Sequence, residues 1–225
     1  MREQTPIYIA IIGDMIDSRK IDARRESQRR LKDALHAVNV NYEAEIASKF
    51  MVTLGDEFQG LLTCGGHISE IISSIESSMY PVRFRFGIGA GGITTDINPD
   101  IPLGADGPAY YNARMMVDKL KANEKKNRAP DMDVLFKTEV DERDTLLNAL
   151  FSLCAALKKR WTRRQSEVVY YCLTHGDHQL HAANSLGVSQ SSIQKSLAGA
   201  DYYTYKNAMD AASITLAQIG AQDNV

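Results

Sequence analysis

Apolar positions along this chain follow two rhythms, and their order predicts the folded elements. A continuous apolar run over 7–13, including Ile7, Tyr8, Ile9, Ile11 and Ile12, reads as a buried strand. Leu31, Leu35, Val38 and Tyr42 recur at three- and four-residue steps in a polar stretch, which predicts a long helix over 23–47. The segment Val52-Thr-Leu-Gly-Asp56-Glu-Phe-Gln-Gly60 reads as strand, tight Gly-Asp turn and strand, a hairpin over 50–63. Ile68, Ile71, Ile72 and Ile75 share one face of a helix over 67–78. Strict alternation over 82–88 marks a strand that turns Val82, Phe84, Phe86 and Ile88 toward the helices, and Arg83 and Arg85 to the other face. A helix over 108–124, a short strand over 133–137 and a helix over 141–157 follow. From Trp161 onward the periodicity is helical only.

The β-α-β-β-α-β order is that of a ferredoxin-like palm, with one sheet face packed on helices and the other open for a ligand. The chain therefore reads as α+β: a palm domain at 1–140, a helical linker at 141–160 and an all-α domain at 161–225.

The glycine-rich run Gly87-Ile-Gly89-Ala-Gly-Gly92 formally fits a dinucleotide-binding pattern. That pattern requires a helix to follow, and Ile93-Thr-Thr-Asp-Ile-Asn-Pro cannot start one. The glycines are better read as letting a backbone or a nucleotide approach the sheet closely.

Charge separates the two parts. The formal net charge is −2 over 225 residues. It divides into −4 over 1–150 and +2 over 151–225. Only the second part suits a polyanion. No signal-peptide core or membrane-length apolar run is present, so the expectation is a cytoplasmic protein without a membrane partner. Cys64, Cys154 and Cys172 are odd in number and widely spaced, which fits reduced thiols better than a disulfide framework or zinc site.

The chemistry concentrates on carboxylates. Asp14 ends the first strand, and Asp56 sits at the hairpin tip after Gly55. Two acids at adjacent strand ends form a minimal site for Mg²⁺ (or Mn²⁺) with nucleotide phosphates. Asp17 and Glu57 add charge that a cation would offset. The competing reading is a structural ion-pair network with Arg114, Arg19 or Lys20.

Residues 179–198 fit a helix-turn-helix. Ala183 stands where two helices cross, Gly187 in the tight turn, and Ile193 locks the second helix. Ser189 is placed to cap that helix. Gln190, Ser191, Gln194 and Lys195 form its polar face, suited to base edges and phosphates. Arg164, with Arg163 and the run Lys158-Lys-Arg160, is placed to meet a DNA backbone. The alternative is a helical hairpin for protein contact. A last helix over 199–219 carries enough apolar surface to pack on this unit or on a second subunit.

Four segments, in order, carry a resemblance. Ile11-Ile-Gly-Asp14-Met-Ile-Asp17 resembles the first metal-binding strand of class III and GGDEF-type nucleotidyl cyclases. Leu54-Gly-Asp56-Glu-Phe58 is similar to their central hairpin, Phe86-Gly-Ile-Gly-Ala-Gly91 to a following strand, and Gly104-Ala-Asp106-Gly-Pro-Ala-Tyr-Tyr-Asn112-Ala-Arg114-Met to their asparagine–arginine helix. The whole chain resembles the SatD family. The cyclase resemblance implies Asp14 and Asp56 as metal ligands, Arg114 with Asn112 as catalytic groups, and Asp106, Arg85 and Gly55 at a bound nucleotide. It departs at Val52, where cyclases carry a base-recognising lysine, and at Tyr110, where they carry the asparagine.

The resulting expectation is a DNA-binding regulator, a homodimer whose palm binds ATP or GTP with Mg²⁺. The alternatives are an active nucleotidyl cyclase or nucleotidyltransferase, and an inert palm with a protein-adaptor tail.

Overall fold

The computed structural model describes residues 6–18, 24–126 and 132–219 and shows a mixed α+β chain. In order come β1 (Tyr8–Met15), α1 (Arg24–Asn41), β2 (Ile46–Leu54), β3 (Glu57–Leu62), α2 (Ile68–Met79), β4 (Phe84–Gly91), α3 (Pro108–Lys125) and β5 (Val134–Lys137). Then follow α4 (Asp141–Lys159), α5 (Arg163–His175), α6 (Gln179–Leu186), α7 (Gln190–Gly199) and α8 (Tyr202–Leu216). The strands form one sheet in the order β2-β3-β1-β4-β5, antiparallel except for the parallel β4–β5 edge.

Two boundaries differ from those the periodicity predicts. Helix α1 stops at Asn41, and β2 begins at Ile46 after a 3-10 turn over Glu43–Glu45. Register shifts at Ile46/Ser48 and Ser48/Met51 break the alternation there, so the period-2 signal that marks a strand is scrambled. Strand β4 runs on through Gly89 and Gly91 instead of ending at 88.

Parity along the central strands assigns the faces. Ile9, Ile11 and Met15 of β1 and Phe84, Phe86 and Ile88 of β4 join the main core with residues of α1, α2, α4 and α8. Phe58 fills the space above Gly13, where a Cβ would lie 2.2 Å from its ring. The last helix shares this core directly: Tyr205, Met209, Ala212 and Leu216 are buried in the same cluster as Ile9 and Phe58.

The opposite face is not open, contrary to the palm expectation. Helix α3 lies across it, burying Ala109, Ala113 and Val117 against Ala10, Ile12 and Leu61. The glycines make this possible. A Cβ on Gly87 would stand 2.2 Å from the Ala113 carbonyl oxygen, and one on Gly89 2.3 Å from that of Ala109. The backbone that approaches the sheet is therefore α3. The loop before α3 covers the β2–β3 side: Ser48 Oγ donates to Asn98 O (2.6 Å), and Gln59 Nε2 to Pro102 O (2.9 Å). Cys154 and Cys172 are buried, Cys64 is half-buried, and all three are free thiols. No helix among the described residues is long and apolar enough to cross a membrane.

Candidate functional site

One patch of the α3-covered face remains accessible, at the end of β1. Asp14 is set there by strand register, between Glu57 on β3 and Arg85 on β4. It is only 7% exposed. Both of its oxygens are engaged: Oδ2 by Arg85 Nη1 at 2.7 Å and Oδ1 by Lys121 Nζ at 2.7 Å. Arg85 continues to Glu124, one helical turn beyond Lys121 on α3, through Nε (3.0 Å) and Nη2. Asp14, Asp17, Asp56, Arg85, Lys121, Glu124 and Lys125 line a cleft of about 640 Å³.

Asp56 reaches this cleft because the hairpin turn is fixed on two sides. Gly55 takes the left-handed conformation (φ 65°) that a tight turn requires. Gln28 of α1 donates to its carbonyl at 3.1 Å, and the amide of Met15 donates to the Asp56 carbonyl at 3.2 Å. Asp14, Asp56 and Arg85 are thus brought together, with Gly55 at the turn beside them.

The remaining palm candidates do not line this cleft, although Arg114 stands near enough to Asp14 to feel its charge. Arg114 forms a two-pronged pair with Glu57, both contacts at 2.5 Å, and these hydrogen bonds raise its already high pKa against the opposing effect of burial. Asn112 donates to the Ala90 carbonyl at 2.9 Å and lies nine residues before Lys121, roughly 13 Å along the helix axis. Asp106 organises the start of α3: its carboxylate accepts the Tyr111 hydroxyl (2.6 Å) and the Gly107 amide (3.1 Å). Tyr110, where cyclases carry asparagine, is buried, and its hydroxyl has no hydrogen-bond partner among the described residues. Burial pushes its pKa up to about 12, so it stays protonated.

Sequence reasoning missed Lys121 and Glu124. The signal was present, since Lys121 stands two helical turns past Arg114 and Glu124 one turn further, on a helix already assigned to the sheet. Arg19 and Lys20, the other suggested ion-pair partners, lie outside the described residues. No group of three or more Asp, Glu, His or Cys residues is arranged to hold a metal among the described residues. Asp14 and Asp56 still offer carboxylates to one cleft, and a cation arriving there competes with Lys121 and Arg85 for Asp14.

The helical tail has a second geometry of interest. Helices α6 and α7 are joined by Gly187, at φ 64° with open space around its Cα, so its conformation is what calls for glycine. Ser189 Oγ caps α7 by accepting the Ser192 amide at 3.2 Å. Ala182, Ala183, Ile193 and Leu197 pack with Val168, Val169 and Cys172 of α5. Gln190, Ser191, Gln194 and Lys195 are all exposed on α7. Arg164 and Arg163 both pair with Glu167.

Lys158 corrects the basic-run expectation. It points inward, pairing with Glu76 (2.7 Å) and Asp133 (2.6 Å), because it continues the buried stripe Leu147, Phe151, Cys154 of α4 by one more turn.

The molecule is thus an α+β protein with a mixed-charge cleft at the end of its central strand and a helical tail packed on the same core. Residues 8–215 match the SatD family model, and the chain belongs to the SatD family. No curated protein matches it. Among solved structures, it is similar to the dimeric guanylyl cyclase domain of the RhoGC fusion protein from the aquatic fungus Blastocladiella emersonii. The identity is 15% and the TM-score 0.32, with 50% of this chain and 74% of that one covered.

Proposed function

We propose that this SatD-family protein is a DNA-binding regulator whose β1-end cleft takes up a nucleotide together with Mg²⁺. The observation that carries the DNA half is the α6–α7 pair. A left-handed Gly187 turn leads into a Ser189-capped helix whose buried side holds Ile193 and Leu197, while Gln190, Ser191, Gln194 and Lys195 stand in solvent. A short helix presenting glutamines and a lysine has the chemistry to read base edges in a major groove. Arg164 would reach a phosphate by exchanging Glu167 for it. For the cleft, the support is its pairing of opposite charges. Nucleotide phosphates would take Arg85 and Lys121, leaving Asp14 and Asp56 for the Mg²⁺ that accompanies them. The ions trade partners, and no charge is left uncompensated.

Sensing is favoured over turnover. In cyclase-like catalysis Arg114 and Asn112 would have to act on the phosphates, yet Arg114 is held by Glu57 and Asn112 by the β4 backbone. Calorimetric titration of ATP and GTP, with and without Mg²⁺, tests the cleft. Asp56→Asn is expected to abolish the Mg²⁺-dependent heat, and unchanged metal-dependent affinity would remove the assignment. Gln190→Ala or Gln194→Ala should cost about 1–3 kcal/mol on a selected DNA site, whereas Lys195→Ala should weaken all sequences and flatten the salt dependence. A full-length chain that retains no DNA even at low salt would turn α6–α7 into a protein-contact surface.

A further inference from the structure

A second cavity, of about 310 Å³, lies where the sheet part meets the helical tail, and Asp14 is not among its lining residues. Its walls come from the α2–β4 connection (Tyr80, Pro81, Val82, Arg83), the residue before β5 (Asp133), the end of α4 (Lys158) and the start of the tail (Trp161, Tyr170). Junctions of this kind are favoured places for small-molecule sites, and the volume is at the lower end of their usual range.

Four features of the lining define a ligand. First, the floor has acceptors to spare. Glu76 and Asp133 are each 8% exposed and share the Lys158 ammonium, which leaves Glu76 Oε2 and Asp133 Oδ1 buried with no hydrogen-bond partner among the described residues. A buried carboxylate oxygen without a donor is costly, so N–H or O–H groups are what this floor lacks. Second, the walls are aromatic. Tyr170 packs against Tyr80 (centroids 5.9 Å apart, tilted) and against Trp161 (6.2 Å, edge-on), so the walls offer ring faces and edges for an aromatic ligand to pack against. Third, Arg83 lines the cavity, is exposed, and forms no ion pair among the described residues. It is a ready partner for an anionic group. Fourth, the cavity touches the machinery on both sides. Trp161 Nε1 donates to the Ala200 carbonyl at the end of α7 (2.8 Å), and the Arg83 carbonyl accepts the Ile16 amide beside the Asp14 cleft (2.8 Å).

We infer that this junction cavity is an effector site for a planar nitrogen heterocycle carrying an anionic group, of the size of a purine nucleoside monophosphate. Its N–H edge meets Glu76 and Asp133, its ring stacks among Tyr80, Trp161 and Tyr170, and its anion lies on Arg83. Guanine suits the floor better than adenine, because its edge presents adjacent N–H donors to a carboxylate. The site is independent of the Mg²⁺-dependent cleft, and its occupation is felt at α7 through Trp161.

Trp161 is the single tryptophan of the chain and lines this cavity, so its fluorescence responds to a ligand there. The experiment titrates full-length protein with guanosine 5′-monophosphate and adenosine 5′-monophosphate in the presence of EDTA. A saturable fluorescence change is expected, with the guanosine compound at least tenfold tighter. Arg83→Ala and Tyr80→Leu, both outside the buried ion cluster, should each weaken it by tenfold or more, while Asp56→Asn should leave it unchanged. No saturable change with either nucleotide overturns the inference, as does binding indifferent to both Arg83→Ala and Tyr80→Leu. Loss of the signal in Asp56→Asn would also overturn it, by assigning the ligand to the other cleft.

Discussion

Two clusters in this molecule set carboxylates against cations, and their arithmetic runs in opposite directions. Around Asp14, one carboxylate meets two cations, Arg85 and Lys121, and both of its oxygens are paired. Around Lys158, one ammonium meets two carboxylates, and one oxygen of each is left without a donor. The first cluster borders an open cleft, and its outer members Lys121 and Glu124 are 37% and 41% exposed, so water or a ligand can replace those two. The second is enclosed between the sheet and the tail. The difference assigns their roles. A cluster with exposed outer partners can trade those ions with a ligand at small cost, whereas an enclosed one is committed to its own partners or to a ligand that completes them.

Breaking the enclosed cluster should have the largest effect. Lys158→Met would leave Glu76 and Asp133 buried near each other without the cation that pairs with both, and removing one partner of a buried ion cluster costs about 3–5 kcal/mol. Urea denaturation at pH 7 should show this loss. Burial pulls the Lys158 ammonium down, but Asp133 and Glu76 outweigh it and raise its pKa well above the ordinary lysine value. The wild-type contribution of Lys158 is accordingly intact below the unfolded lysine pKa and disappears only as pH climbs through the raised folded one. A loss below about 1 kcal/mol at pH 7 would mean that Lys158 is not what neutralises the pair.

The Asp14 cluster can be broken without touching its charges, because its lysine rides on α3 and α3 is seated by glycines. Gly87→Ala places a methyl 2.2 Å from the Ala113 carbonyl oxygen and 2.8 Å from the Val117 amide nitrogen. Both are backbone atoms, so no rotamer change relieves the clash and the helix must lift. Overpacking of this kind costs about 1–3 kcal/mol. The expected result is a moderate fall in thermal stability together with loss of Mg²⁺-dependent nucleotide affinity, while the Trp161 response in the junction cavity persists. If nucleotide affinity survived the lift of α3, Lys121 would not belong to the site.

How far the sequence foretold these clusters follows from what each residue's neighbours display. Asp14 was legible because an unbroken apolar strand ends on it, and Asp56 because Gly55 announces a turn. The glycines of β4 were misplaced because glycine carries no strand signal of its own. That they admit a close approach was legible, but that α3 is the backbone approaching them is visible only in the fold. The α6–α7 pair was legible at residue level, since a left-handed glycine and a serine cap are local devices. Lys158 was misread because a run of three basic residues looks solvated. The helical stripe Leu147, Phe151, Cys154 pointed to the inward lysine and was the stronger signal. No local pattern could pair Lys158 with Glu76 and Asp133, which belong to different elements far away in the chain.

The smallest effect should come from taking away the surplus acid, and its pH dependence separates the two clusters most finely. Burial is the main influence on Glu76 and raises its pKa above the ordinary 4.5, with Lys158 acting against it and Asp133 with it. A carboxyl whose folded pKa is raised contributes stability that is fully present below its unfolded pKa and is lost as pH rises through the folded one. Glu76→Gln removes that loss while leaving Lys158 a one-to-one pair with Asp133. The amide also brings N–H donors to the floor. At pH 7 the variant should therefore lie within about 1 kcal/mol of wild type, on either side. Its stability relative to wild type should improve as pH rises from 4 toward neutrality. The same substitution at the open cluster, Asp14→Asn, carries no such expectation, since Asp14 is there the shared partner of Arg85 and Lys121 and its removal takes a carboxylate from each. Denaturation curves of both variants at pH 4, 5.5 and 7 decide the matter. If Glu76→Gln lost ground with rising pH, Glu76 would be a stabilising ion-pair partner instead of the surplus acid, and the enclosed cluster would resemble the open one.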